Sequence, residues 1–316
     1  MAKLGFVFPG QGSQKIGMLS DYSDEPVVRD CLAEASDCVG YDVWDMIQNG
    51  TQETITQTQR TQPILLSCSV ALWRLWQHRG GATPEYLAGH SLGEWSALVC
   101  AGAVAFDDAV TIVEARGRLM QSAVPVGEGA MAAILGLPDE EIVELCHRAQ
   151  DSDEVTAVNF NAPGQVVIAG SVAGVERAIQ LCKAAGAKRA MPVPVSAPFH
   201  TQMMQPASAG LAERLERTTF KSPAVPVVHN VHAQVETDGS KIRQLMLEQI
   251  YKPVRWVACI ERLRLFGVDS LMECGPGRVL NGLAKRIDKD LNLFATDEKY
   301  RFDSALTELK NKGTRI

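Results

Sequence analysis

The stretch Leu87–Gly102, LAGHSLGEWSALVCAG, sets Ser91 between Gly89 and Gly93, directly after His90, and follows it with a long apolar run. Two readings compete: a turn that merely needs small residues, or a nucleophile presented on a bend too tight for larger ones. The flanks favour the second. A short strand, Tyr86–His90, enters the motif and a helix, Leu92–Gly102, leaves it. G-x-S-x-G between a strand and a helix is the context in which the serine Oγ stands exposed on a strained turn. The N–H of Leu92, at the helix start, is then placed to stabilise an oxyanion.

Working outward, the chain keeps the same alternation. A strand LGFVF (4–8) leads into the glycine-rich loop PGQGSQKIG, and helical patterns follow at 25–39 and 63–79. Apolar strands alternating with helices predict an α/β fold with a parallel sheet covered on both faces. From about 126 to 195 the elements shorten and run strand, helix, strand, strand, helix, strand, a ferredoxin-like order. We therefore expect a large α/β domain over 1–125 and 196–316, with an inserted small subdomain over 126–195. Beyond it the sequence predicts a strand VPVVHNV, helices at 241–250 and 256–266, and a strand SLMEC before the loop GPGRVLNGLAKRI. The last fifteen or so residues are polar and are expected to fray.

Composition narrows the function. The 316 residues are 46% hydrophobic and 22% charged, with a net charge of −6. That balance builds a sizeable core and argues against a general nucleic-acid binder, so an anionic partner would need a local basic patch. The eight cysteines form no CxxC, and several lie within apolar helical patterns, which reads as buried thiols in a reducing cytoplasm. The N-terminus meets Pro9 too early for a signal-peptide core. The longest apolar run, Ala97–Phe106, is far short of the roughly 20 residues a membrane helix needs.

A serine at its ordinary pKa attacks poorly and needs a base. His78 and His147 lie on polar helix faces. His90 adjoins Ser91 on a strand and is expected to point to the other face. His229 and His232 form an HxxH without a third ligand nearby in sequence, a weak metal pattern. His200, in VPVSAPFHTQMM, sits where a strand ends and a helix follows, the place where α/β folds carry such bases.

Two helices carry polar residues on apolar stripes. In helix 107–123, Arg116 falls on the stripe of Ala109, Ile112, Val113, Met120 and Ala123, whereas Arg118 falls off it and is expected to pair with Glu114. A guanidinium on a buried face calls for an anion, either a structural carboxylate or a substrate carboxylate held bidentately. Gln249 shares the stripe of Ile242, Leu245, Met246 and Ile250 in a last helical turn, where a free carbonyl could accept an imidazole N–H. Gly10, Gly12 and Gly17 fit no dinucleotide or P-loop spacing, but Gly10–Gly12 could aim a backbone N–H at a neighbouring site.

Eight segments in order from residue 4 to about 287 resemble the bacterial malonyl-CoA:acyl carrier protein transacylases: FVFPGQGSQ, TQPILLSCSVALW, GHSLGEWSALVCAG, EARGRLMQ, NFNAPGQVVIAG, PFHTQMMQPA, EQIYKPVRW and ECGPGRVL. The resemblance implies a hydrolase-like large domain with a ferredoxin-like insertion. It implies Ser91 as nucleophile, His200 as base and the Gln249 main-chain carbonyl as its orienter. The N–H groups of Gln11 and Leu92 would form the oxyanion hole, Arg116 would clamp the malonyl carboxylate, and Gln62 and Asn161 would lie close by. Phe199, where some fatty-acid members have serine, accompanies malonyl rather than branched substrates among polyketide acyltransferases, which leaves the pathway open.

The expected reaction is a two-step transfer from malonyl-CoA to an acyl carrier protein through a malonyl-serine ester, by a monomer with no metal or redox cofactor. Because carrier proteins of this family are acidic, Lys188, Arg189, Lys285 and Arg286 are candidates for docking. A serine hydrolase or thioesterase, a polyketide acyltransferase and a catalytically silent carrier-protein scaffold are the alternatives.

Overall fold

Leu4–Phe8 is buried at every position, which an apolar strand achieves only when both faces of its sheet are covered. In the computed structural model, which describes residues 3–195 and 197–313, this strand, β1 (Lys3–Phe8), is the centre of a five-stranded sheet. Its companions are β2 (Tyr86–Gly89), β7 (Val227–Val228), β8 (Val268–Glu273) and β9 (Asn292–Ala295). The order is β7-β2-β1-β8-β9 and every pairing is parallel.

A separate antiparallel sheet holds β3 (Gly129–Leu135), β4 (Val155–Ala162), β5 (Gln165–Ser171) and β6 (Arg189–Pro192), in the order β4-β5-β3-β6. Helices Asp139–Ala149 and Val172–Ala184 pack with it in one apolar core. The segment before helix Trp256–Leu265 joins the small sheet at Val254, which is hydrogen-bonded into β4 from its N–H to the Val158 carbonyl and from Phe160 N–H to its own carbonyl. The junction expected near Ser196 lies outside the described residues.

The glycines of the opening motif answer to close packing. A Cβ on Gly93 would stand 2.0 Å from the Phe8 carbonyl oxygen, and one on Gly89 would stand 1.9 Å from the carbonyl carbon of Gly93. The start of helix Leu92–Cys100 is therefore pressed against the ends of β1 and β2, and His90 and Ser91 make the turn between β2 and the helix.

Several expectations fail at the edges. The strand VPVVHNV shrinks to Val227–Val228, because His229 and Asn230 leave the ladder for a turn closed by Ala233 N–H on the His229 carbonyl. The C-terminus does not fray where it is described. Helix Lys299–Gly313 buries Phe302, Ala305 and Leu309, and the Phe302 ring packs edge-on against Tyr22 and Trp76. Three apolar residues on one stripe anchor a helix whose remaining faces are polar.

Candidate active site

Ser91 is the residue before helix Leu92–Cys100 and has φ 51° and ψ −107°, a strained combination for a residue with a side chain. Serine in this position commonly turns its hydroxyl onto the helix's first amides. Here it makes no such cap. Its Oγ instead lies 2.8 Å from His200 Nε2.

His200 also has a positive φ, 65°, and is 3% exposed. Its Nδ1 is 2.7 Å from the main-chain carbonyl of Gln249. A carbonyl only accepts, so Nδ1 carries the proton and Nε2 is left to accept from the serine hydroxyl. Burial, followed by the nearby Arg116 charge, lowers the His200 pKa from 6.5 to about 3. The imidazole is therefore neutral and able to take a proton, and a backbone carbonyl holds its tautomer without an acidic third member.

Arg116 comes from helix Phe106–Ser122 and is 1% exposed. Gly117, the next residue, lets that helix approach helix Thr58–His78 closely: a Cβ there would stand 2.6 Å from the Thr58 carbonyl oxygen. This contact sets Arg116 Nη1 2.8 Å from Gln62 Oε1. Nη2 donates to Gln249 Oε1 at 2.9 Å and to Ser91 Oγ at 3.3 Å. Nε is buried without a hydrogen-bond partner. Burial lowers the pKa to about 10, with Glu94 acting the other way, so the guanidinium stays charged at neutral pH. A buried, permanent cation with a spare donor beside the Ser91 hydroxyl can receive a carboxylate.

A cleft of about 250 Å3 opens over Ser91, with Gln11, Leu92, Gln62, Phe199 and Asn161 in its wall. The Leu92 N–H is the first of its helix, one of those without an intrahelical acceptor. The loop carrying Gln11 is pressed against the nucleophile turn, since a Cβ on Gly10 would stand 2.4 Å from the His90 carbonyl oxygen.

Two readings need correction. His90 does not face away: its Nε2 donates to Asn161 Oδ1 at 2.7 Å and its ring lines the same cleft. Strand alternation ends at Gly89, so period-two reasoning no longer applies one residue later. Glu114 meets Arg60 at 3.7 Å rather than Arg118. His229 of the HxxH gives Nδ1 to the buried carboxylate of Glu94 at 2.6 Å.

Glu94 and Asn230 are the site residues that sequence reasoning missed. Asn230 accepts from Ser91 N–H through Oδ1 at 2.8 Å and donates from Nδ2 to the Gly89 carbonyl at 2.7 Å. Both partners belong to the G-x-S-x-G turn. The available signal for Glu94 was its place in the otherwise apolar run LGEWSALV, where no polar face exists to receive it.

Of the basic residues, Lys188, Arg189 and Arg286 line one shallow groove, although two stretches nearly a hundred residues apart supply them. Lys285 is turned to the carbonyl of Lys289 at 3.0 Å. All four are exposed.

Residues 5–276 match the family described as acyl transferase domain. The malonyl CoA-acyl carrier protein transacylase of Salmonella typhimurium is 51% identical over 309 residues, spanning 98% of this chain and 100% of that protein. That of Bacillus subtilis is 42% identical over 315 residues, spanning 99% of each. The solved malonyl CoA-acyl carrier protein transacylase of Coxiella burnetii superposes with a TM-score of 0.96 at 44% identity, with 98% of each chain covered. A malonyl-transacylase solved in complex with its type II PKS acyl-carrier protein superposes with a TM-score of 0.96 at 50% identity, covering 97% of this chain and 100% of that one.

Proposed function

The chain belongs to the malonyl CoA-acyl carrier protein transacylase family, and from that premise we propose how its residues divide the work. It is an acyltransferase that moves the malonyl group of malonyl-CoA to the phosphopantetheine thiol of an acyl carrier protein. In the first step Ser91 gives its proton to His200 Nε2 and attacks the thioester carbonyl. The oxyanion is met by the N–H groups of Gln11 and Leu92. His200 returns the proton to the departing coenzyme A thiolate as the tetrahedral intermediate collapses to the malonyl-serine ester. In the second step His200 takes the proton of the carrier thiol, the thiolate attacks the ester, and the proton goes back to Ser91 Oγ.

One observation carries this reading: Ser91 Oγ sits 2.8 Å from a neutral, carbonyl-held imidazole and 3.3 Å from a buried arginine. A hydrolase of neutral esters has no use for that cation at its nucleophile. Gln62 and Gln249 hold the guanidinium, Asn161 steadies His90 beneath the acyl group, and Phe199 closes the wall. No metal or redox group enters these steps.

We read the five-stranded part, with its nucleophile turn, as hydrolase-like. The strand order β4-β5-β3-β6 with two helices in one core supports a ferredoxin-like insertion over 126–195. The groove of Lys188, Arg189 and Arg286, with Lys285 beside it, is the docking face for an acidic carrier. The site is complete within one chain, which is the basis for reading it as a working monomer. Among the described residues no helix is long and apolar enough to cross a membrane, and every cysteine is free; we place the reaction in the cytoplasm, serving fatty-acid synthesis. Phe199 in the cleft wall favours a second reading, service to a polyketide carrier.

Incubation of the protein with malonyl-CoA, with and without holo carrier protein, tests the proposal. Malonyl transfer should outpace hydrolysis, and mass spectrometry should find the label on Ser91. Rapid release of free malonate regardless of carrier would make the chain a thioesterase.

A further inference from the structure

Beneath Ser91 lies a second buried charge that neither step of the transfer uses. Glu94 is 0% exposed, in the first turn of the helix that starts at Leu92. Its Oε1 accepts from His229 Nδ1 at 2.6 Å, and its Oε2 accepts from Asn230 N–H at 3.1 Å and Gln249 Nε2 at 2.7 Å. The same Gln249 Nε2 donates to the Ser91 carbonyl at 2.9 Å, while Oε1 at its other end accepts from Arg116. Arg116 and Glu94 are thus joined as guanidinium, carboxamide, carboxylate.

The two ends of that carboxamide are not interchangeable. Reversed, it would set an oxygen against the Glu94 carboxylate and the Ser91 carbonyl, and an NH2 against the guanidinium. Two acceptor clashes and one donor clash among buried groups are prohibitive. We infer that Glu94 is a positioning residue for acyl selectivity: its carboxylate fixes which way round Gln249 stands, and Gln249 then holds Arg116 in place to receive a carboxylate on the acyl group. The inference rests on the reading of Arg116 as the malonyl clamp and extends it to a residue that no substrate touches.

The substitution Glu94→Gln weakens the compulsion with little change of shape. Asn230 N–H keeps the new carboxamide oxygen on the Gln249 side, so Gln249 Nε2 exchanges a charge-assisted bond for a neutral one of about half its strength. The new NH2 faces His229, whose proton moves to Nε2, which is buried without a partner. Acylation of Ser91 by malonyl-CoA and by acetyl-CoA is then compared in wild type and variant, with circular dichroism and thermal melts as the measure of folding. The malonyl-over-acetyl preference in kcat/KM should fall by about tenfold or more, the scale of a hydrogen bond to a charged group. In an Arg116→Ala background the same substitution should change that preference by less than about twofold, because the residue it acts through is gone.

Gln249→Met provides the second test, since it keeps the backbone carbonyl that holds His200 and leaves Glu94 with His229 and Asn230. It should lower the same preference without touching position 94. Equal loss of malonyl and acetyl acylation in a folded Glu94→Gln, additive losses in the double variant, or an unchanged preference in Gln249→Met would overturn the inference. Wild-type labelling by malonyl-CoA tests the functional reading separately.

Discussion

Arg116 Nη2 and Ser91 Oγ stand 3.3 Å apart, so the serine hydroxyl and a buried cation meet in the wall of one cleft. The hydroxyl donates to His200 and accepts from Arg116. An acyl group on that oxygen therefore carries any terminal carboxylate into the reach of the guanidinium.

Arg116→Ala should cut malonyl transfer by about 30-fold or more, the kinetic equivalent of about 2–5 kcal/mol lost with one member of a buried pair. Acetyl transfer, which offers no carboxylate, should be unchanged or improved. Arg116→Lys should rescue only part, because it keeps the charge and loses the planar fork. Steady-state rates with both acyl-CoA substrates check this; equal loss of the two in a folded variant would make the arginine structural.

Ser91→Ala should carry no malonyl label at all. His200→Ala should slow acylation and deacylation alike, by about a thousandfold. Rapid-quench measurement of each half-reaction separates the two, and label persisting on Ser91→Ala would point to a different nucleophile.

The depressed pKa of His200 predicts an unusual pH profile. With protonation near 3 instead of 6.5, single-turnover acylation should hold from about pH 8 to about pH 5, where an ordinary imidazole would already be charged. The sign for stability follows from linkage. The unfolded chain binds this proton below 6.5 and the folded one only near 3, so the contribution is full above 6.5 and is lost as the pH falls between the two values. Thermal melts taken at falling pH should show a shallower decline in His200→Ala than in wild type.

Reversing Lys188 and Arg189 to Glu should raise the KM for carrier protein by about fivefold or more while sparing that for malonyl-CoA. Added salt should weaken carrier use in wild type and much less in the variant. Equal damage to both substrates would remove the groove from consideration as a docking face.

The parts of the site that were legible share one property: each broke a local pattern. Ser91 interrupts a strand–helix junction with flanking glycines, Arg116 stands on an apolar stripe, and Gln249 repeats that offence in a last turn. Glu94 broke a pattern too, but a charged residue inside a short helix is ordinarily turned to solvent, and it is His229, Asn230 and Gln249, from segments distant in sequence, that enclose its carboxylate. His90 was misjudged because alternation was carried one residue past the end of its strand. The helices Val43–Asn49 and Gln52–Thr56 went unread since each has too few residues to show a helical period. The C-terminal helix was missed because three buried residues anchor it among many polar ones.

The strand order separates two kinds of labour. Ser91, Arg116, His200 and Gln249 all belong to segments outside the four-stranded sheet, whereas Met131, Asn161 and Val167, from β3, β4 and β5, face them across the cleft. The Ser91–His200 pair with its cation and the small-sheet wall of the cleft thus sit on different jaws of one vice. A lineage can reshape the upper jaw, residue by residue, to admit a longer or bulkier extender while the lower jaw keeps its dyad and its cation intact. For an engineer the same division marks where to cut: a transplanted wall changes what fits, and the chemistry underneath does not have to be relearned.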